Sequence, residues 1–102
     1  MKNKETIPQD AGGLKLVREF VVGNQYGIHA RPAALLVQTA CEYASDITLQ
    51  NKDMSVSAKS IIGVLTLEGH YGVTLKVIAC GEDASEALDA IQELFEKKFN
   101  EH

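Results

Sequence analysis

The chain has 102 residues, 45% of them hydrophobic and 24% charged, with a formal net charge of −4. A single domain of that size buries about 60–70% of its unfolded surface, enough for one core without disulfide staples. The acidic balance excludes a nucleic-acid binder, which needs a basic face, and no apolar run approaches the ~18–20 residues that span a bilayer.

Met1 to Gly13 is polar, carries Pro8 and Gly12-Gly13, and offers too little apolar surface to offset its ordering entropy. Residues 1–14 are therefore expected to form a mobile tail, and residues 15–102 a single domain. The tail also lacks the apolar core of a signal peptide, so a cytoplasmic location is expected. From Lys15 to Val22 the chain is rich in Val and Phe, with Phe20 and Val22 on one face, which predicts a strand. Gly23 to Ile28 reads as a turn that delivers His29 at its end. Ala33, Leu36, Val37 and Ala40 then mark one stripe of an amphipathic helix over 30–43, with Gln38, Thr39 and Glu42 opposite.

Ile47 and Leu49 alternate with polar neighbours in a second strand. Asn51-Lys52-Asp53 is a turn signal, and Met54 to Ser57 returns as the other arm of a hairpin. Ser60 is placed to cap a short helix over Ile61 to Leu67. Val73, Leu75, Val77 and Ala79 alternate in a fourth strand. Asp83 and Glu86 have capping-box spacing; behind them Ala84, Ala87, Leu88, Ile91, Leu94 and Phe95 draw the stripe of a last helix. The order is βαββαβα, an α+β pattern that one sheet covered by helices on a single side buries most economically. Cys41 and Cys80 have neither Cys-x-x-Cys nor zinc-ligand spacing and are expected as reduced thiols. His70 lies in a Gly69-His70-Tyr71-Gly72 turn and is expected to be solvated. No metal site or cofactor is expected.

Chemistry concentrates in Tyr26-Gly27-Ile28-His29-Ala30-Arg31-Pro32-Ala33-Ala34. Neutral imidazole is a nucleophile near neutral pH. A helix N-terminus offers unpaired N–H groups and positive dipole character, which together favour a phosphate. Pro32 suits the first turn, since its missing N–H has no intrahelical partner anyway. Arg31 adds a permanent cation whose forked donors match phosphate oxygens. Gly27 gives the turn before the histidine access to positive φ. The pattern suits a histidine that takes up a phosphoryl group and passes it on.

A second motif, Ala58-Lys59-Ser60-Ile61-Ile62-Gly63-Val64, follows in register. The pair Gly-Ile-His-Ala-Arg-Pro-Ala and Lys-Ser-Ile-Ile-Gly-Val resembles the HPr family, the histidine-containing phosphocarriers of the bacterial phosphoenolpyruvate:sugar phosphotransferase system. Ser60 follows His29 at the family's spacing between active-site histidine and regulatory serine. The resemblance runs without gaps from about Lys15 to Phe99.

The resemblance implies an HPr-like open-faced sandwich, a four-stranded antiparallel sheet with three helices on one face. It implies a monomeric carrier rather than an enzyme, soluble and without membrane insertion. His29 would accept a phosphoryl group on Nδ1 from phospho-enzyme I and hand it to the IIA domains of sugar permeases. The amides of Ala30 and Arg31 and the Arg31 side chain would stabilise the phosphoryl oxygens. Ala30, Ala34, Ile61, Ile62 and Leu65 would form the docking patch, with one of Ile61 and Ile62 exposed. In some bacteria an HPr kinase/phosphorylase modifies the family's regulatory serine, here Ser60, and links the carrier to a catabolite regulator. Glu68 departs from the family, which commonly has glycine or alanine there. With the Phe95/Phe99 end, it keeps open a nitrogen-branch (NPr-like) regulatory carrier. A non-catalytic regulatory module of the same fold is the other alternative, against which His29 itself argues.

Overall fold

The computed structural model describes residues 15–101; the expected tail over residues 1–14 and the terminal His102 lie outside them. Four strands are present: β1 (Lys15–Val21), β2 (Asp46–Asn51), β3 (Met54–Ser57) and β4 (Thr74–Cys80). Between and after them come helices α1 (Ala30–Cys41), α2 (Ile61–Thr66) and α3 (Ala84–Glu96). The expected order βαββαβα is borne out. A short 3-10 turn, Lys98–Asn100, follows α3 and was not anticipated.

The sheet runs β1-β4-β2-β3, with every neighbouring pair antiparallel. β4, the last strand in sequence, is thus central and joins β1 to the β2–β3 hairpin. Period-two alternation puts Leu16, Phe20, Ile47, Leu49, Leu75, Val77 and Ala79 on the buried face. The helix stripes cover that face with Ala33, Leu36 and Ala40 from α1, Val64 from α2, and Ala84, Ala87, Leu88, Ile91 and Phe95 from α3. Phe95 stacks on Phe20 with ring centroids 5.0 Å apart, and Phe99 meets Phe95 edge-on at the same separation. Arg18 also points inward from β1; its guanidinium donates to Asp89 at 2.8 Å and Gln92 at 2.9 Å on α3, so the charge is paired where it is buried.

Two caps were expected, and one forms. Ser60 Oγ accepts the Gly63 N–H at 3.0 Å, as its position predicts. The Asp83–Glu86 box does not form, because Asp83 makes no side-chain bond to its own helix. Its carboxylate turns to the α1–β2 loop and accepts the N–H groups of Ala44 (2.8 Å) and Ser45 (2.9 Å) and the Ser45 hydroxyl. Three donors from the α1–β2 loop outweigh the one bond a cap offers.

Candidate functional site

His29 occupies the N-cap position of α1 with extended backbone (φ −91°, ψ −165°), and its side chain makes no capping bond. The imidazole is thereby free of the helix it precedes. The first intrahelical bond runs from Ala33 N–H to His29 O at 2.9 Å. The N–H groups of Ala30 and Arg31 therefore lie at the helix mouth, and Pro32 contributes none. Arg31 is exposed and has no hydrogen-bond or ion-pair partner among the described residues. An exposed imidazole, unpaired amides and an unengaged guanidinium share one open helix end, a set of groups whose chemistry suits an anion such as a phosphate.

The turn that delivers His29 is fixed from behind. Gly27 has φ +71°, and a Cβ there would lie 2.6 Å from Gly69 O. The Ile28 N–H donates to that same carbonyl at 2.8 Å, so the loop before His29 is tied to the loop before β4. Asn24, fully buried, braces the turn from within; its Nδ2 donates to Gly27 O at 2.7 Å.

Two residues that sequence reasoning missed complete the site. The same Asn24 Nδ2 donates to Glu101 Oε1 at 3.0 Å. The Glu101 carboxylate in turn faces the histidine ring, with His29 Nε2 3.0 Å from Oε2 and 3.3 Å from Oε1. Glu101 arrives through the turn after α3, where Lys98, Phe99 and Asn100 have φ of 52°, 54° and 61°. Three consecutive side-chain-bearing residues in left-handed conformation have no local sequence signature. An asparagine within the turn before His29 was the one available cue, since Asn side chains organise turns.

Ile61 and Ile62 are both exposed, Ile62 at 68%, where one had been expected. Leu65 is exposed beside them on α2, which packs against α1 and β3. On α1, Ala30 is exposed and Ala34 half-buried. Tyr26, 74% exposed, meets the His29 ring edge-on with centroids 6.4 Å apart, an apolar rim residue the sequence did not single out. Ser60 is exposed at the start of α2. His70 is exposed in its turn, as expected. Among the described residues no group of three or more His, Cys, Asp or Glu could hold a metal ion, and no helix is long and apolar enough to cross a membrane.

A family model described as "PTS HPr component phosphorylation site" matches residues 16–97. The chain is 45% identical over 86 residues to the phosphocarrier protein HPr of Xylella fastidiosa strain 9a5c, covering 84% of this chain and 97% of that protein. It is 43% identical over 86 residues to the HPr of Treponema pallidum, covering 84% and 98% respectively. The crystal structure of HPr-C-His from Thermoanaerobacter tengcongensis superposes with a TM-score of 0.82 at 41% identity, covering 84% of this chain and 97% of that one. With its four-stranded antiparallel sheet and its helices on one face, the chain belongs to the HPr family of phosphocarrier proteins of the phosphotransferase system.

Proposed function

We propose that His29 is the phosphoryl acceptor, charged by phospho-enzyme I and discharged to the IIA domains of sugar permeases in the cytoplasm. The observation that carries this reading is the position of His29: an uncapped, exposed imidazole at the mouth of α1, beside the unpaired Arg31. Phosphoryl transfer asks little of an acceptor beyond a placed nucleophile and stabilised oxygens. The ring supplies the first, the Ala30 and Arg31 amides and the Arg31 guanidinium the second. An open helix end also suits a group that must be given up again.

Ala30, Ala34, Ile61, Ile62 and Leu65 form the docking patch in this reading, with Tyr26 at its rim. Small and apolar, such a patch fits transient complexes. Ser60 is the regulatory site, accessible to an HPr kinase and placed where a phosphate lies beside Ile61 and Ile62. The names of the relatives support the sugar branch over the nitrogen-branch alternative.

The test is phosphoenolpyruvate plus enzyme I, followed by mapping of acid-labile phosphate. Wild type should be labelled on His29 and the His29→Ala variant should stay folded and unlabelled. Normal uptake by that variant, or label on His70, overturns the assignment. A parallel incubation with ATP and HPr kinase should label Ser60.

A further inference from the structure

We infer that Glu101 is a positioning residue for His29: oriented by Asn24, its carboxylate holds the imidazole as the Nε2–H tautomer and leaves Nδ1 as the attacking nitrogen. The inference rests on the phosphocarrier reading of His29 given above and adds a residue and a mechanism to it.

The hydrogen-bond chain has a direction. An ionised carboxylate accepts and cannot donate, so the hydrogen between His29 Nε2 and Glu101 Oε2 belongs to the ring nitrogen. The tautomer of a histidine is set by the bond its other nitrogen makes. With Nε2–H committed to Glu101, the lone pair stands on Nδ1. The carboxylate is itself held: its side chain is only 16% exposed against 42% for His29, and Oε1 takes the Asn24 amide at 3.0 Å. Asn24 cannot turn over, because its Nδ2 also serves Gly27 O, a group that only accepts. Glu101 therefore accepts from both sides, from Asn24 Nδ2 on one oxygen and from His29 Nε2 on the other.

The backbone points to the same role. Lys98, Phe99 and Asn100 lie in the left-handed region, where residues with a Cβ are disfavoured. Strain of this kind persists when surrounding structure over-determines it, and it gathers at functional sites. Phe99 holds the turn by burial against Phe95, and the Glu101 N–H closes it on Lys98 O at 2.9 Å. A chain leaving α3 without that turn would not bring residue 101 to the helix mouth of α1.

In the transfer step the Nδ1 lone pair forms the new N–P bond. The bond from phosphorus to the phosphorylated donor breaks, and its electron pair leaves with the donor. The proton on Nε2 stays where it is, so the ring becomes positively charged as the bond forms. Glu101 lies against the nitrogen that carries that charge and stabilises it, as a buried carboxylate does behind the histidine of a catalytic triad.

The test uses the full chain and potassium phosphoramidate, a small phosphoryl donor that needs no docking surface. Wild type, Glu101→Ala and Glu101→Gln are compared by ring 15N shifts, by uptake rate and by the nitrogen phosphorylated. Wild type should show the Nε2–H tautomer and phosphate on Nδ1. Alanine should expose Nε2, giving label on both nitrogens and slower uptake at Nδ1. Glutamine is the sharper variant. Asn24 claims its oxygen, so its NH2 faces Nε2 and the ring proton moves to Nδ1; uptake should fall by about tenfold or more, below alanine. A glutamine variant that keeps the Nε2–H tautomer overturns the inference, as do equal uptake rates in all three proteins. If wild-type His29 takes no phosphate from phosphoramidate or from enzyme I, the phosphocarrier reading fails instead, and the 15N shifts still decide whether Glu101 sets the tautomer.

Discussion

The Gly69 carbonyl accepts the Ile28 N–H at 2.8 Å and leaves no room for a side chain on Gly27, whose Cβ would stand 2.6 Å away. That contact, together with φ +71° at Gly27, sets the direction in which the chain enters α1. Gly27→Ala should lower stability by about 2 kcal/mol or more, since both the conformation and the contact oppose a Cβ and the obstacle is backbone. A thermal melt should fall by roughly 10 °C, and phosphate uptake should slow in the folded fraction because His29 is displaced. A variant that melts like wild type would show that the loop can yield.

Arg31 should matter for rate and little for fold. It is exposed and unpaired among the described residues, so Arg31→Ala removes no structural contact. Loss of a charge-assisted donor to the phosphoryl oxygens should slow transfer by about tenfold to a hundredfold. Arg31→Lys should recover part of that, since an ammonium keeps the charge and loses the fork. Rapid-quench transfer from enzyme I measures both; wild-type rates in the two variants would make Arg31 a bystander.

Ser60 separates two effects. Ser60→Ala loses the bond to the Gly63 N–H and should cost ~1 kcal/mol in a denaturant melt while keeping transfer. Ser60→Asp can cap as well and adds negative charge at a favourable helix end, so it should fold like wild type. Beside Ile61 and Ile62 the same charge should weaken docking with enzyme I. The concentration dependence of transfer at matched ionic strength should show a raised KM for Asp alone.

Asp83 gives stability a pH dependence with a definite sign. The Ser45 hydroxyl first, and then the Ala44 N–H, hold its carboxyl below the ordinary value of 3.8. The unfolded chain therefore binds the proton more readily, and the carboxylate's contribution is complete above that ordinary value. It is lost as pH falls through the lower folded-state value. Wild type should be more stable than Asp83→Asn at neutral pH, and the two urea midpoints should converge in acid once pH has fallen through that lowered value. A gap that persists unchanged in acid would assign the effect to shape rather than charge.

Glu68 occupies the left-handed region at φ 59°, just past α2. A glycine there, as the HPr resemblance leads one to expect, carries no Cβ penalty. Glu68→Gly should raise stability by up to about 1 kcal/mol, and Glu68→Ala should not. Calorimetry on the two variants checks it.

What could be read from the sequence depended on range. Alternation in β2 and β4, the stripes of α1 and α3, and the Ser60 cap are local patterns, and each formed within a few residues of its expected bounds. That His29 and Arg31 share the start of α1 was legible because one helix turn carries both. Glu101 was not, for it joins His29 across most of the chain through a turn in which Lys98 and Phe99 take a left-handed conformation that their residue types do not favour. Asp83 was misread for a related reason: a local rule assigned it to its own helix, while the amides of Ala44 and Ser45 were competitors visible only in three dimensions.

The strand order β1-β4-β2-β3 also constrains how the molecule comes into being. β1 leaves the ribosome early, yet the strand it pairs with is the last to be made. Until β4 emerges, β1 has no neighbour and the β2–β3 hairpin, which a short turn joins, is the pairing at hand. Closing the long loop between β1 and β4 costs chain entropy before its contacts return any, so the sheet is completed late. An N-terminal fragment ending before Thr74 would expose the apolar face of β1 with nothing to bind it, which makes truncated synthesis products prone to aggregation and quick to be degraded.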